Sequence, residues 1–155
     1  MSKFFIAAIL ATLSFSAVDA QDFDTLMSSY GLVDIQSIDD EILVELKYSS
    51  TDNFVGEDMY GNLERAYFEP SFADRVVKAQ QILKRRNPNY TLLIYDAARP
   101  ISVQRHMRKV VEGTQFEGFV ADGTKGGRHN YGVAVDLTIA QIDGSPLDMG
   151  AEFDD

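Results

Sequence analysis

The sequence predicts an α+β fold, an antiparallel sheet with helices packed on one face. Strand patterns occur at residues 42–48, 91–95 and 133–140, and helical patterns of apolar residues begin near residues 70 and 101. Because these segments do not alternate regularly as strand and helix, a parallel Rossmann-type sheet is disfavoured. The length of 155 residues fits a single domain.

The first 20 residues have the pattern of a secretory signal peptide. A short cationic start is followed by the apolar run 4–13, which is shorter than the roughly 20 residues of a membrane-spanning helix. Small residues at positions 18 and 20 suit a cleavage site. A buried helix is the alternative, but no polar residue recurs there at helical spacing. We therefore expect a domain at residues 21–155, secreted to the periplasm or the cell surface.

The elements of this domain follow from local patterns. Residues 42–48 alternate apolar and polar side chains as a strand does, and the Ser-, Asn-, Asp- and Gly-rich residues 49–62 predict an ordered loop. Pro70 and Ser71 indicate a helix start, with Ser71 as N-cap, and Asn87-Pro88 indicates its end.

The second half repeats the strand and helix patterns. Residues 91–95 predict a short buried strand, and a second helix begins at Ile101 and ends before Gly113. Five glycines between residues 112 and 128 predict a loop. In the strand 133–140, Val133, Val135, Leu137 and Ile139 share one face, whereas Ala134, Asp136 and Thr138 share the other.

Composition excludes several kinds of site. The net charge of −10 argues against a protein that binds nucleic-acid phosphates. The absence of cysteine excludes disulfides, thiolate nucleophiles and cysteine-ligated metals. Because the chain has only two histidines, any metal site would need carboxylate ligands.

His129 and Asp136 are the first candidates for a functional site. His129 lies in the glycine-rich loop, and Asp136 lies seven residues later in a strand, beside small residues that leave room. An ionised carboxylate in such a partly buried place costs free energy unless it is paired or coordinated. The pair could hold a divalent metal, or it could form a hydrogen bond that only pins the loop.

Arg99 and the loop that begins at Tyr48 are further candidates. Pro100 forces Arg99 into an extended conformation directly after a strand. Its guanidinium could bind a carboxylate or a developing oxyanion, or it could form a turn bridge with Asp96. The polar side chains after Tyr48 could belong to a site or could serve only to build the loop.

Four segments occur in an order and at distances typical of one family: YSSTDNFVG (48–56), YDAARP (95–100), GGRHNYGVAVDLTI (126–139) and DMGAEFDD (148–155). Together they resemble the D-alanyl-D-alanine dipeptidases of the vancomycin-resistance type, a branch of the zinc D,D-peptidases. The resemblance runs from about Val44 to the last residue. It implies the hedgehog-like fold of those enzymes and hydrolysis of D-Ala-D-Ala, or of a related cell-wall dipeptide.

The resemblance also implies roles for individual residues. His129 and Asp136 would be two of three Zn²⁺ ligands. Arg99 would stabilise the transition state. Tyr48 and Asp154 would hold the free ammonium group of the substrate.

Two departures from the family pattern affect these expectations. Gly127 stands where the family usually has serine, and the Glu-x-x-His motif that supplies the third ligand and the general base is absent from the 155 residues. The other histidine, His106, fits a solvated or helix-packing role. We therefore expect an amino-terminal portion of a longer protein, with weak zinc binding and little or no hydrolysis of its own. The alternative is a non-catalytic module that binds peptidoglycan peptides on a decayed peptidase fold.

Overall fold

The computed structural model describes residues 22–151 and residue 153, so the predicted signal peptide and Asp154 lie outside the described residues. This part of the chain forms three α-helices and five short strands. In chain order they are α1 (Phe23–Ser29), β1 (Val33–Asp34), β2 (Leu43–Val44), β3 (Tyr67–Phe68), α2 (Pro70–Arg86), β4 (Tyr90–Asp96), α3 (Ile101–Val111) and β5 (Asp136–Gln141). None of these helices is both long and apolar enough to span a membrane.

The central sheet has three strands in the order β2-β4-β5. Strands β4 and β5 are antiparallel, with Leu93 opposite Thr138, and a separate two-stranded antiparallel sheet joins β1 to β3. The predicted α+β class is confirmed. The central sheet is nevertheless mixed, because β2 pairs in parallel with β4, with Leu43 opposite Leu93. The chain between them passes through β3 and α2, which is the long crossover that a parallel pair requires.

Helix α2 ends before Asn87 as predicted, but its N-cap is Glu69 and not Ser71. Pro70 occupies the first helical position, where its missing N–H costs nothing. The Glu69 carboxylate accepts hydrogen bonds from the Phe72 N–H at 2.9 Å and from the Ser71 hydroxyl at 2.6 Å. The helix is fixed to β4 by the buried Gln80, whose amide bonds the Thr91 hydroxyl and the Leu92 N–H.

Two predicted strands are shorter than expected. Strand β2 ends at Val44, and a 3-10 turn follows at Lys47–Ser49. Strand β5 begins only at Asp136, opposite Asp96 of β4. Before it comes the 3-10 turn His129–Tyr131, and the Val133 N–H donates to the Arg128 carbonyl within this loop. Within β5 the predicted alternation holds. Thr138 and Ala140 are buried, whereas Leu137 is 40% exposed.

The hydrophobic core extends from α1 to the loop after α3. Its larger buried members include Ile35, Ile42, Tyr48, Tyr60, Leu63, Phe68, Val76, Ile94, Val103 and Met107. The carboxyl end of β4 therefore emerges from a packed core and is held rigidly where the candidate residues lie.

Candidate metal centre

The residues after β4 are fastened to the loop that carries His129. The Arg99 N–H donates to the His129 carbonyl at 3.0 Å, and the Asn130 side-chain amide donates to the Arg99 carbonyl at 2.8 Å. Asp96 and Asp136 are opposite each other in the β4–β5 register. The structure thus brings together Arg99, His129 and Asp136, as the sequence analysis expected.

The His129 ring is oriented by the backbone. Its Nδ1 lies 2.8 Å from the carbonyl oxygen of Ala97. Because a carbonyl can only accept, Nδ1 carries a proton, and in the neutral imidazole Nε2 then presents its lone pair. Nε2 lies 3.6 Å from Oδ2 of Asp136, which is longer than a hydrogen bond.

This spacing suits a shared metal ion better than a direct contact. Two ligands each about 2.0–2.2 Å from a tetrahedral ion lie about 3.4 Å apart. An Nδ1–H that donates to a carbonyl is also the usual arrangement of a histidine that binds a metal through Nε2. The donor set therefore fits a metal, and the predicted alternative, a pinning His–Asp hydrogen bond, is not formed.

The Asp136 carboxyl is sensitive to the charges around it. Burial raises the pKa of this carboxyl above its usual value, and the neighbouring Asp96 carboxylate acts in the same direction. His129 and Arg99 lower the pKa. A bound cation would favour the ionised form, since a metal ligand must be deprotonated.

Asp96 lies near both ligands but serves a different purpose. One ligand atom each from Asp96, His129 and Asp136 lies within 4.8 Å of the other two, the one such cluster of three in the described part of the chain. However, Oδ2 of Asp96 is 3.4 Å from Nδ1, on the opposite side of the imidazole from Asp136. The Asp96 carboxylate also accepts from the Tyr60 hydroxyl at 2.6 Å and from Arg99. We therefore assign Asp96 to holding Arg99 and not to a metal.

Arg99 is an almost buried cation beside the candidate ligands. Its side chain is only 9% exposed, and the guanidinium carbon lies 4.9 Å from the ring centroid of Tyr48. The predicted turn bridge to Asp96 is present. Burial lowers the pKa of Arg99, but Asp96, Tyr60 and Tyr48 together outweigh that effect and raise the pKa above its usual value. Arg99 therefore stays charged.

Arg99, His129 and Asp136 line one cavity of about 370 Å³, together with Tyr48, Phe54 and apolar residues of the loop after α3. This volume is near the lower end of the roughly 300–1,000 Å³ of small-molecule sites. Asp136 and Phe54 also line a wider groove beside β5. The arrangement offers a small ligand a fixed cation, a His–Asp pair that could hold a metal ion, and apolar walls.

The other predicted positions also have defined surroundings. Gly127 lines the cavity, and a Cβ there would meet only the Asn130 side-chain oxygen at 3.8 Å, so the site has room for a serine. His106 is exposed and lies 3.1 Å from Glu57, away from the cavity, in agreement with the expected solvated role. Tyr48 is buried, and its ring packs edge-on against Phe153.

Two polar residues of the site were missed by the sequence analysis. Tyr60 and Gln104 are buried and bond Asp96 and Arg99, respectively. Gln104 leaves a detectable signal, because it lies on the buried side of α3 beside Val103 and Met107, where a polar side chain needs a partner.

Gly132 ends the turn that carries His129 and leaves no space for a side chain. Its φ is +68°, and a Cβ would lie 2.8 Å from the Glu69 nitrogen. Gly132→Ala is therefore expected to lower the free energy of unfolding by about 2–4 kcal/mol, from backbone strain plus a steric clash. Gly31→Ala is the matched control, because Gly31 has a φ of +76° and open space around it. Urea denaturation measures both, and equal losses would contradict the clash.

The chain is similar to known proteins over most of its length. A profile of the family described as D-ala-D-ala dipeptidase matches residues 28–155. The D-alanyl-D-alanine dipeptidase of Escherichia coli (strain K12) is 33% identical over 124 residues, which cover 80% of this chain and 61% of that protein. The matched region thus spans about three-fifths of that relative. With a match over most of its length, the chain belongs to the D-ala-D-ala dipeptidase family.

Proposed function

We propose that this site serves the zinc-dependent hydrolysis of D-Ala-D-Ala or of a related cell-wall dipeptide. The observation that carries the proposal is the pair formed by His129 Nε2 and the Asp136 carboxylate, 3.6 Å apart, in the same cavity as the Arg99 cation. Family membership and the small cavity support a dipeptide-sized substrate.

The proposal assigns a role to each candidate residue of the site. His129 and Asp136 would hold Zn²⁺, whose chemistry is to polarise the scissile carbonyl and to lower the pKa of a water. Arg99, fixed and nearly buried, would stabilise the negative charge that develops on the carbonyl oxygen. Tyr48 and Asp154 would hold the ammonium group of the substrate, and the role of Asp154 stays a prediction.

The proposal requires groups from outside the described residues. A catalytic zinc site has three protein ligands. The cluster within residues 22–151 and 153 consists of Asp96, His129 and Asp136, and two ligands remain because Asp96 is assigned to Arg99. A general base is needed as well, to take the proton of the attacking water. The expected location of the protein, outside the cytoplasm, follows from residues 1–20 and also remains a proposal.

Calorimetry with D-Ala-D-Ala tests the proposed function. In the presence of Zn²⁺ we expect the protein to bind D-Ala-D-Ala. The affinity should fall about tenfold or more, which is about 1.4 kcal/mol, when a chelator is added or when Asp136 is replaced by alanine. It should fall as much when L-Ala-L-Ala replaces D-Ala-D-Ala. Binding that ignores the chelator would favour the non-catalytic module. No binding at all would contradict both the zinc peptidase and the non-catalytic peptide-binding module.

The same mixtures, assayed for released D-alanine, test whether outside groups are needed. The 155-residue chain is expected to release little or none. Release that disappears in Asp136→Ala would show that this chain already holds every catalytic group, against the requirement for an outside ligand.

A further inference from the structure

Gln104 connects the cation of the site to one wall of the cavity. It lies in α3 and is 4% exposed. Its Oε1 accepts from Nη1 of Arg99 at 2.9 Å, and its Nε2 donates to the carbonyl of Ala121 at 2.9 Å. Both polar atoms of this buried amide therefore have a hydrogen-bond partner, one in Arg99 and one in the loop after α3.

The orientation of this amide is fixed by chemistry. A guanidinium only donates hydrogen bonds and a carbonyl only accepts them, so Oε1 has to face Arg99 and Nε2 has to face Ala121. A flipped amide would place the Gln104 Nε2 donor against the Arg99 donor, and the Gln104 Oε1 acceptor against the Ala121 carbonyl. Gln104 thus has one favourable arrangement, which a glutamate or an apolar residue cannot reproduce at both ends.

Arg99 is held from three directions. Asp96 accepts from Nη2, Gln104 accepts from Nη1, and the Tyr48 ring lies against the guanidinium face. Its Nε is buried and has no hydrogen-bond partner within the described residues. Asp96 compensates the charge, and Gln104 accepts from the other terminal nitrogen, so the two hydrogen bonds together fix the plane of the guanidinium against the Tyr48 ring.

The loop after α3 is held to the helix by side-chain donors. Arg105 donates to the Gly123 carbonyl at 3.1 Å, and Arg108 donates to the carbonyls of Glu117 and Val120. Gln104 adds the contact to Ala121. Of these three donors, Gln104 is the one that the structure also shows bonded to Arg99.

We propose that Gln104 is a positioning residue, which sets the orientation of the Arg99 guanidinium and links it to the Val120–Ala121 wall of the cavity. The inference rests on the proposed role of Arg99 in the site. A ligand that meets Arg99 would therefore meet a cation whose orientation depends on a residue that does not itself react.

Three variants separate this role from simple attachment of the loop. Gln104→Met keeps the length of the side chain and removes both hydrogen bonds. Gln104→Glu keeps the acceptor for Arg99 and loses the donor for Ala121. Arg105→Ala removes a loop contact one residue away and leaves Arg99 untouched. Gln104→Asn, whose side chain is too short to span both partners, replaces the Met variant if that protein fails to fold.

The first readout is exchange of the Arg99 Nε–H with water, observed by ¹H–¹⁵N NMR and assigned with Arg99→Lys. We expect at least about a tenfold faster exchange in Gln104→Met, because the guanidinium loses one of the hydrogen bonds that orient it. Exchange in Gln104→Glu and Arg105→Ala should stay within about twofold of the unsubstituted protein. Equal acceleration in Gln104→Met and Arg105→Ala, or none in Gln104→Met, would overturn the inference.

The second readout is affinity for D-Ala-D-Ala with Zn²⁺. We expect about a tenfold loss in Gln104→Met and substantial recovery in Gln104→Glu. If the unsubstituted protein binds no dipeptide, the proposed function fails, whereas faster Nε–H exchange in Gln104→Met would still support the positioning role. Unchanged affinity in Gln104→Met, in a protein that binds the dipeptide, would overturn the link to the ligand.

Discussion

Replacing Asp136 with alanine is expected to lower the affinity of the protein for Zn²⁺ by about a hundredfold or more. The carboxylate faces the free lone pair of His129, so its loss leaves one ligand on that side of the imidazole. Loss of a supporting group around a metal ligand already costs about 10- to 100-fold in affinity, and loss of a ligand should cost at least as much. Competition with a chromophoric chelator measures the change.

Asp40→Ala is the matched control for this measurement. Asp40 is exposed and lies outside the cavity, so its removal changes the net charge by the same amount as Asp136→Ala. Zinc affinity in Asp40→Ala should stay within about twofold, since exposed charges are screened by salt. An equal loss in both variants would show that zinc binds to the acidic surface and not at His129.

Replacing Asp96 with alanine is expected to lower the free energy of unfolding by about 3–5 kcal/mol. The Asp96 side chain is fully buried and compensates the Arg99 cation, which would otherwise be buried without a counter-ion. The Tyr60 hydroxyl would also lose its acceptor. Because a domain is stable by only about 5–15 kcal/mol, urea denaturation should show a large shift.

An exposed ion pair provides the comparison. Glu45 pairs with Lys47 at 2.6 Å, but the Glu45 side chain is 58% exposed. Glu45→Ala should therefore cost less than about 1 kcal/mol. A loss in Asp96→Ala no larger than that in Glu45→Ala would mean that Arg99 reaches water or another anion when Asp96 is absent.

The parts of the fold that could be predicted depend on local signals. Helix α2 has an apolar stripe and ends at Asn87-Pro88, and these features act within one or two turns. Its N-cap was misplaced by two residues, because serine is the commoner capping residue, whereas Pro70 takes the first helical position and leaves Glu69 as the cap. The parallel pairing of β2 with β4 joins Leu43 to Leu93, and no local pattern specifies a partner so far along the chain.

In the candidate site, too, some features follow from local sequence and others depend on contacts between distant parts of the chain. His129 and Asp136 are seven residues apart, so a loop and a strand in succession suffice to predict that they meet. Pro100 and the preceding strand indicated Arg99, and the resemblance to the family implied its role. Its supporting residues depend on long-range packing, because Tyr60 reaches Asp96 across 36 residues of sequence. Gln104 acquires its role only when α3 turns that face toward β4 and the loop.

The most direct measurement of the central claim is the position of zinc in crystals of the protein, from anomalous differences recorded on either side of the zinc absorption edge. We predict one peak about 2.0–2.2 Å from both Nε2 of His129 and a carboxylate oxygen of Asp136. A peak bound instead through Asp96 and Nδ1, or no peak beside His129 in zinc-soaked crystals, would contradict the assignment.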